Sequence, residues 1–497
     1  MQYFSVLRKC LLLLHVLLVS GVCAADHQST TDAPVELRVM TFNIEYGGAH
    51  VSFDKVVEAI RLSKSDLVGI QEAEGNLQRL ADRLGWHADL HNYAISKYPL
   101  IDPPGANGQY IYVEVSPGKI VALANVHLPS DPYGPYALRD GASLEQVLEL
   151  ERLTRLPFIT PYLAILPKLV EQAIPVFITG DFNTPSHTDW TLQMVGSRKF
   201  LNQSVEWPVS RAVSVAGFVD SWHQMHPDPL KEPGLTWWAG RPPLEMYAPD
   251  ENDPQDRIDF IWYAGPSTLL SSELVGEENA ADVTISVMPW PSDHRAVVSG
   301  FSMIPADLPD VVTSKKRVYT LGEDIDIRYQ WTDGEHAFIS VDKINGDALL
   351  LQQSVNGSGH ITLAAKDITA GQYRITLGPT DQQTSLIRDV WVLDPAEQPK
   401  VEVTGDAFAP GEIIPIRWSN APGNRNDYVA IVSKEVVTEL QTELPWAYIS
   451  ALPHGELRLD PLYSGTNKVL SKGTYVIHLL KDDGFEVLAE SATFEIR

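Results

Sequence analysis

Two hydrophobic patterns divide this chain, and the change from one to the other limits what it can fold into. As far as about Phe301, short apolar runs alternate with stretches of helical spacing. Beyond Lys316 only short alternating strands and turns follow, with no clear helix. In the first region Glu36-Leu-Arg-Val-Met-Thr-Phe-Asn43-Ile-Glu45 reads as a strand, with Asn43 and Glu45 on the face of Val39 and Thr41. Gly47-Gly48 breaks it, and Ser52 stands where it can cap a helix carrying Phe53, Val56, Val57 and Ile60. Asp66 to Glu72 reads as a second strand ending on a carboxylate, and a short helix with Leu77, Leu80 and Leu84 stops at Gly85. Strand, helix, strand, helix implies a sheet with helices packed on it.

Further short strands are expected around Tyr93–Ile95, Tyr110–Val115 and Ile120–Val126, the last running into His127. Ser143 to Ala173 reads as largely helical, interrupted at Pro157, Pro161 and Pro167. Val176-Phe-Ile-Thr179 is a buried strand closed by Gly180, after which Asp181 and Asn183 point the same way; another helix is expected near Thr188. A Pro- and Trp-rich loop from His226 to Gln255 delivers the chain to Arg257-Ile-Asp259-Phe-Ile-Trp262, and Ser292-Asp293-His294 precedes a last strand ending at Phe301.

Ile304 to Lys316 is aperiodic and reads as a linker. Past it, Tyr319-Thr-Leu-Gly-Glu-Asp-Ile-Asp-Ile-Arg-Tyr329 is repeated as Phe408-Ala-Pro-Gly-Glu-Ile-Ile-Pro-Ile-Arg-Trp418, and Ala370–Leu377 as Lys472–Leu479. The expected organisation is a layered domain over 35–304, a linker at 305–316, and two all-β, Ig-like sandwich modules at 317–395 and 396–497.

The first 24 residues stand apart. Arg8 and Lys9 precede a leucine-rich run and Val22-Cys-Ala24, the pattern of a cleavable secretory signal, so a secreted or periplasmic protein is expected. No other run is apolar and long enough to cross a bilayer. Both cysteines, Cys10 and Cys23, fall in that signal, so any metal bound by the rest takes oxygen or nitrogen ligands. Removing the signal leaves 36 basic against 64 acidic residues, a formal charge of −28, which argues against a basic surface that wraps nucleic acid.

Polar residues at the strand ends of the first region are Asn43, Glu45, Glu72, His127, Asp181, Asn183, Asp259, Asp293 and His294. Strand ends are where a scaffold can converge groups on one point. Glu72 and Asp293 suit a hard cation such as Mg²⁺, and Asp181 can orient or deprotonate a water. Asp259 beside His294 would fix the imidazole tautomer and raise its pKa.

Thr41-Phe-Asn43-Ile, Ile70-Gln-Glu72, Val126-His127-Leu, Gly180-Asp-Phe-Asn183, Arg257-Ile-Asp259 and Ser292-Asp-His294 occur in an order that resembles the endonuclease/exonuclease/phosphatase superfamily, over about 35–304. The resemblance implies an α/β four-layered sandwich, two packed mixed β-sheets flanked by helices, with the site at one edge. It implies Glu72 as principal metal ligand, with Asn43 nearby, Asp293 contributing and Glu45 as a second acidic contact. The metal implied is Mg²⁺, with Mn²⁺ or Ca²⁺ as alternatives. Asp181 would position or deprotonate the attacking water, Asn183 and His127 would bind the scissile phosphate, and His294, oriented by Asp259, would serve proton transfer. One departure is the short segment between Trp86 and Tyr112, where many relatives are longer; it implies a more open groove on that side. The second module, through Trp418–Asn424 and Leu480–Phe485, is similar to a SKICH-like β-sandwich and implies surface docking.

The expected function is an Mg²⁺-dependent phosphoric ester hydrolase acting on a small or lipid-linked phosphoester. A secreted nuclease acting on DNA or RNA is the alternative, followed by a non-catalytic binding protein that keeps the fold and by an adhesin built on the β-modules. Other conspicuous residues read as structural. His223 and His226 have metal-like spacing but no companion ligands, and Trp331 and Trp418 belong to sandwich cores. Trp237 and Trp238 read first as core packing, and second as a platform for a base or lipid. His187 divides between packing and a phosphate contact.

Overall fold

A computed structural model describes residues 33–242, 253–332, 337–346, 349–379, 385–434, 445–460 and 469–497. The expected signal, 1–24, lies outside the described residues. Pro34 to Arg497 form one compact unit.

The first region supplies strands β1 (Val35–Asn43), β2 (Leu67–Gln71), β3 (His87–Asp89), β4 (Ala94–Ser96), β5 (Leu100–Ile101), β6 (Ile111–Ser116), β7 (Lys119–His127), β8 (Val176–Asp181), β9 (Val219–Asp220), β10 (Asp259–Ala264), β11 (Ser267–Gly276), β12 (Val283–Ser286) and β13 (Ala296–Met303). They form two open mixed sheets, ordered β12-β11-β13-β1-β2-β4-β3 and β5-β6-β7-β8-β10-β9. Apolar residues of both sheets, among them Val39, Leu67, Val121, Phe177 and Phe301, meet in a shared core.

Helices cover the outer faces. The helices α1 (Phe53–Leu62) and α2 (Leu77–Leu84) lay Val56, Ile60, Leu77 and Leu80 against the first sheet. Ile159, Tyr162, Leu166, Val209 and Val213 cover the second. Helix, sheet, sheet, helix is the four-layered architecture that the family resemblance implies, built from the sheet-and-helix packing that the strand–helix alternation implies.

At one point the two sheets approach too closely for side chains. A Cβ on Gly69 of β2 would lie 2.0 Å from Thr179 Oγ1 and 2.4 Å from Asn125 Oδ1. There Gln71 Nε2 donates to Asn125 Oδ1 at 2.7 Å, and Asn125 Nδ2 to the Ile70 carbonyl at 2.8 Å. This polar bolt ties β2 to β7 and β8 immediately beneath the residues that follow them.

Several local expectations change. Ser52 occupies the N-cap position of α1, but its side chain makes no capping bond. The helical stretch is broken once rather than three times, into Leu144–Thr154 and Leu156–Glu171. Pro157 sits in the first turn, where its missing N–H is not needed. Pro161 and Pro167 lie inside the second helix, whose buried face of Ile159, Tyr162, Leu166 and Leu169 offsets the lost backbone bonds. No helix begins at Thr188; only a single 3-10 turn, Leu192–Met194, forms there. Residues 306–314, read as linker, instead carry two short strands. Ala306–Asp307 pairs with β7 and Val311–Ser314 with Ile325–Trp331, while Leu308 and Val311 join the core of the first region.

Two sandwiches follow. One sets a three-stranded sheet (311–314, 325–331, 357–363) against a five-stranded one. The other sets a three-stranded sheet (400–403, 414–419, 455–459) against a six-stranded one. The internal repeat falls on equivalent strands, and Trp331 and Trp418 lie in the two cores, as expected. No helix among the described residues is long and apolar enough to cross a membrane.

Candidate active site

Strands β1 and β2 run parallel, as do β7 and β8, so their carboxyl ends share one edge of the double sheet. Register then sets the neighbours. Asn43 lies opposite Gln71, and His127 opposite Asp181, which is itself opposite Asp259 of antiparallel β10. Directly past the strand ends Glu45, Glu72 and Asn183 adopt left-handed backbone, with φ of 52°, 54° and 50°. Such conformations cost about 1–3 kcal/mol each and persist where surrounding structure holds them.

The side chains converge. Asn43 Nδ2 donates to Glu72 Oε1 at 2.9 Å and to Asp181 Oδ2 at 3.1 Å. His127 Nε2 lies 3.7 Å from Asp181 Oδ2 and 3.9 Å from Glu72 Oε1. His294 Nε2 lies 3.6 Å from the same Asp181 oxygen and 4.0 Å from Asp293 Oδ1, while its Nδ1 donates to Asp259 Oδ2 at 2.9 Å. Asn183 is turned differently: its Nδ2 donates to the Leu128 carbonyl, and its backbone N–H to Asp181 Oδ1. Asn43, Asp181, Asp259 and His294 form a buried floor, with Glu72 and His127 at a more open rim.

Burial pushes the Asp181 carboxyl up to about 6, against the lowering pull of His294. For His294 burial disfavours the charge, yet Asp259, Asp181 and Asp293 together hold its pKa well above the usual imidazole value. Asp293 is raised by burial and by Glu72.

Asp181, Asp259 and His294 offer ligand-type atoms within 4.8 Å of one another. Their geometry is that of a carboxylate–imidazole–carboxylate relay. To bind a cation His294 would have to be neutral, and three carboxylates favour its protonated form. Glu72 and Asp293 are better suited to a divalent ion: Asp293 Oδ1 is buried without a hydrogen-bond partner among the described residues, and the charge of Glu72 helps raise the Asp293 pKa. Hard carboxylate oxygens, one of them buried without a partner among the described residues, fit Mg²⁺ or a similar cation.

Glu45 departs from the expected metal role. Arg241 Nε lies 2.7 and 2.9 Å from its two oxygens, and one oxygen also accepts from the Asp293 backbone N–H at 3.0 Å. Its carboxylate positions Asp293 instead of facing outward.

Sequence reasoning missed the supports. Ser292 Oγ donates to the Asn43 carbonyl and accepts from His294 N–H, joining the Asp293-His294 loop to β1. Thr236 Oγ1 accepts from the backbone of Ile258 and Asp259. Buried Arg257 clamps Asp189 and Asp220, anchoring the entry to β10. Trp237 Nε1 donates to Asp293 Oδ2 at 3.3 Å, and its ring neighbours His294, Tyr133 and Tyr136. Apart from Ser292 and His294, these partners are far apart in sequence, and no periodicity marks them. His226 stacks on Trp222 and bonds Glu232, so its role is structural. His187 bonds Ser210, with its pKa lowered by burial.

Residues 40–294 match the Endonuclease/Exonuclease/phosphatase family. The chain belongs to this family. Endonuclease/exonuclease/phosphatase proteins are in general metal-dependent hydrolases of phosphoester bonds, and the matched span holds every site residue above. An uncharacterized Caenorhabditis elegans protein is 31% identical over 299 residues, covering 54% of this chain and 92% of its own length. Among solved structures, D. rerio TDP2 complexed with single strand DNA product is 15% identical, covering 54% of this chain and 98% of its own, with a TM-score of 0.31. An endonuclease/exonuclease/phosphatase family protein from Bacteroides thetaiotaomicron is 15% identical, covering 55% and 96%, with a TM-score of 0.32.

Proposed function

We propose that this protein is an exported, Mg²⁺-dependent phosphoester hydrolase whose substrate is small or lipid-linked. The observation that carries the reading is the meeting of Asp181 Oδ2 with Asn43, His127 and His294 within 3.1 to 3.7 Å, beside Glu72 and Asp293. Glu72 and Asp293 would hold the cation, with Asn43 keeping Glu72 in place. Bound there, a divalent ion neutralises charge on the phosphoryl oxygens.

The protein's own residues do the rest. Asp181, ionised above about pH 6, orients a water and accepts its proton as the water oxygen bonds to phosphorus, the ester P–O bond breaks and the departing oxygen is protonated from solvent. His127 borders the phosphoryl group, and Asn183 braces Asp181 through its backbone N–H. His294, kept protonated and aligned by Asp259, donates toward phosphoryl oxygen as negative charge builds in the transition state. The leucine-rich start of the chain supports export, and the family match ends at His294, so the docking role of the SKICH-like second module is also a proposal.

The test is hydrolysis of bis-p-nitrophenyl phosphate, p-nitrophenyl phosphate, inositol phosphates, sphingomyelin and plasmid DNA, with Mg²⁺ or EDTA, beside His294→Ala. Metal-dependent turnover of one substrate, lost in the variant, supports the reading. A protein that binds Mg²⁺ tightly but turns over none of them contradicts the substrate class. Absence of both binding and turnover removes the enzyme reading. The family's nucleic-acid chemistry keeps a nuclease as the second reading, which the plasmid arm decides.

A further inference from the structure

The side of the site expected to be open, along residues 86–112, instead meets two turns of the second β-sandwich. In the turn after strand Gly473–Leu480, buried Asp482 accepts from the Gly75 backbone N–H at 3.0 Å with one carboxylate oxygen and from the Tyr93 hydroxyl with the other. Its own N–H donates at 3.1 Å to Asp427, which also accepts from the N–H groups of Gly423 and Asn424 at 3.0 and 2.9 Å. Asp427 thus ties the Asp482 turn to the turn that carries Arg425. Arg425 Nη2 bonds the hydroxyl of Tyr162, on the helix Leu156–Glu171 over the second sheet, and Nη1 lies 3.5 Å from the carbonyls of His91 and Asn125. One hydrogen-bonded block of the sandwich therefore grips elements that belong to both sheets of the first region.

Both bonds of Asp482 lead to Glu72 within a few residues. Gly75 lies in the loop that follows Glu72, where Glu72, Glu74 and Gly75 have φ of 54°, 43° and 79°. Left-handed residues other than glycine persist where their surroundings hold them. The β1 side of this loop is held by Gly47 N–H, which donates to the Glu72 carbonyl at 2.8 Å, and by Asn76 Nδ2, which donates to the Gly47 carbonyl at 3.0 Å. Asp482 holds it from the sandwich side. Its second bond reaches β2 itself. The Tyr93 carbonyl accepts from Ile70 N–H at 2.9 Å and from Asn125 Nδ2 at 3.1 Å, so fixing the Tyr93 hydroxyl steadies the strand two residues before Glu72. Burial raises the Asp482 pKa, and both bonds survive protonation, because a neutral carboxyl still accepts from Gly75 N–H and can donate to the Tyr93 oxygen.

Resting on the hydrolase reading above, we propose that Asp482 is a positioning residue for the metal site: by pinning Gly75 and Tyr93 it holds Glu72 in the orientation that takes Mg²⁺. The Glu72 carboxylate is itself bonded by Asn43 Nδ2 and by the Tyr46 N–H, at 2.9 and 3.2 Å, so what Asp482 adds is the position of the backbone beneath it. The second sandwich is then part of the catalytic unit. Loss of a group that orients a metal ligand lowers metal affinity or activity by about 10- to 100-fold.

The full-length protein is compared with Asp482→Gly, Asp482→Asn, Tyr93→Phe and the control Arg328→Ala. Glycine accepts the left-handed backbone of residue 482, φ 49°, and removes only the carboxylate. Asparagine keeps an acceptor for Gly75 N–H and an amide that can donate to the Tyr93 hydroxyl. Arg328 pairs with Glu114 at 2.7 and 2.9 Å, joining the first sandwich to β6 opposite Ile120, at the end of β7 away from His127, so its loss reports general loosening of the modules. Two quantities need no substrate: the Mg²⁺ dissociation constant by isothermal titration calorimetry, and deuterium exchange of the amides of residues 72–76 in EDTA. A third is the Mg²⁺ concentration giving half the maximal rate on bis-p-nitrophenyl phosphate, set against kcat at saturating Mg²⁺. Asp482→Gly is expected to weaken Mg²⁺ binding and speed exchange at least about tenfold each, and to raise the half-saturating Mg²⁺ more than it lowers kcat. Tyr93→Phe should fall between, Asp482→Asn should stay within about twofold of the unaltered protein, and Arg328→Ala should change none of the three. Equal losses in Asp482→Gly and Arg328→Ala overturn the proposal, as does Mg²⁺ affinity in Asp482→Gly within about twofold of the unaltered protein. If the unaltered protein binds no Mg²⁺, the hydrolase reading fails, and exchange by itself decides whether Asp482 holds the Glu72 loop. If Asp482→Gly does not fold, Tyr93→Phe carries the decision, with changes under about twofold in both binding and exchange counting against the proposal.

Discussion

His294 Nδ1 donates to Asp259 Oδ2 at 2.9 Å, and the opposite nitrogen of the same ring lies 3.6 Å from Asp181. One carboxylate therefore fixes the ring while the other shares its working side. Replacing Asp259 by Asn keeps the shape and removes the charge. Activity should fall by about 10²- to 10⁴-fold with little change in KM, and His294→Ala should fall at least as far. Steady-state kinetics on the best substrate checks this; an unchanged kcat in Asp259→Asn would remove the pair from the mechanism.

The pH profile should be bell-shaped. Asp181, with its folded pKa raised to about 6 from 3.8, must be ionised, so the rate falls as pH drops below about 6. His294 must be protonated, and its raised pKa puts the alkaline limb above 6.5. For stability the signs follow from linkage. Raised Asp181 makes the fold lose stability as pH rises from about 4 to 6. The stabilisation contributed by His294 is complete below 6.5 and is lost as pH rises through its folded value. Asp181→Asn should abolish the acid limb along with most of the rate.

Metal removal should act through Glu72 and Asp293. EDTA should stop turnover, and Mg²⁺ should raise the melting temperature of the metal-free protein. At a hundredfold excess over Kd the gain is about 2.7 kcal/mol. Glu72→Gln and Asp293→Asn should each lose that Mg²⁺-dependent rise in a thermal-shift assay, which needs no substrate. A full rise in both variants would place the cation elsewhere.

Gly69→Ala should destabilise the fold by about 1–3 kcal/mol, because its methyl would enter space held by Thr179 Oγ1 and Asn125 Oδ1. The same shift would part the ends of β2 and β8, so kcat should drop as well. Urea denaturation and kinetics on one preparation test both effects.

Arg257→Ala leaves Asp189 and Asp220 buried without their cation, which costs about 3–5 kcal/mol. Chemical denaturation should show the loss, whereas Arg374→Ala, which breaks a half-exposed pair with Asp389, should cost under about 1 kcal/mol.

Strand and helix periods, the pair of repeated segments and the six short motifs were all local properties, legible wherever side chains alternate or recur every three to four residues. They carried the layered architecture, the sandwich pair and the candidate residues Asn43, Glu72, His127, Asp181, Asp259 and His294. Breaks were less legible. Pro161 and Pro167 do not end their helix, because burial of one face outweighs two lost backbone bonds. The stretch after Ile304 pairs as strands, because Leu308 and Val311 find apolar neighbours that lie far away in the chain.

What sequence alone determined is which residues could take part, since side-chain chemistry and strand period are written residue by residue. Only the tertiary structure decided how they are used. It turned Glu45 from an open ligand into a partner for Arg241 and for the backbone of Asp293, 196 and 248 residues away. It also brought Asp482 to Gly75 across 407 residues. Such contacts leave no periodic trace, because they depend on which distant segments the fold brings together.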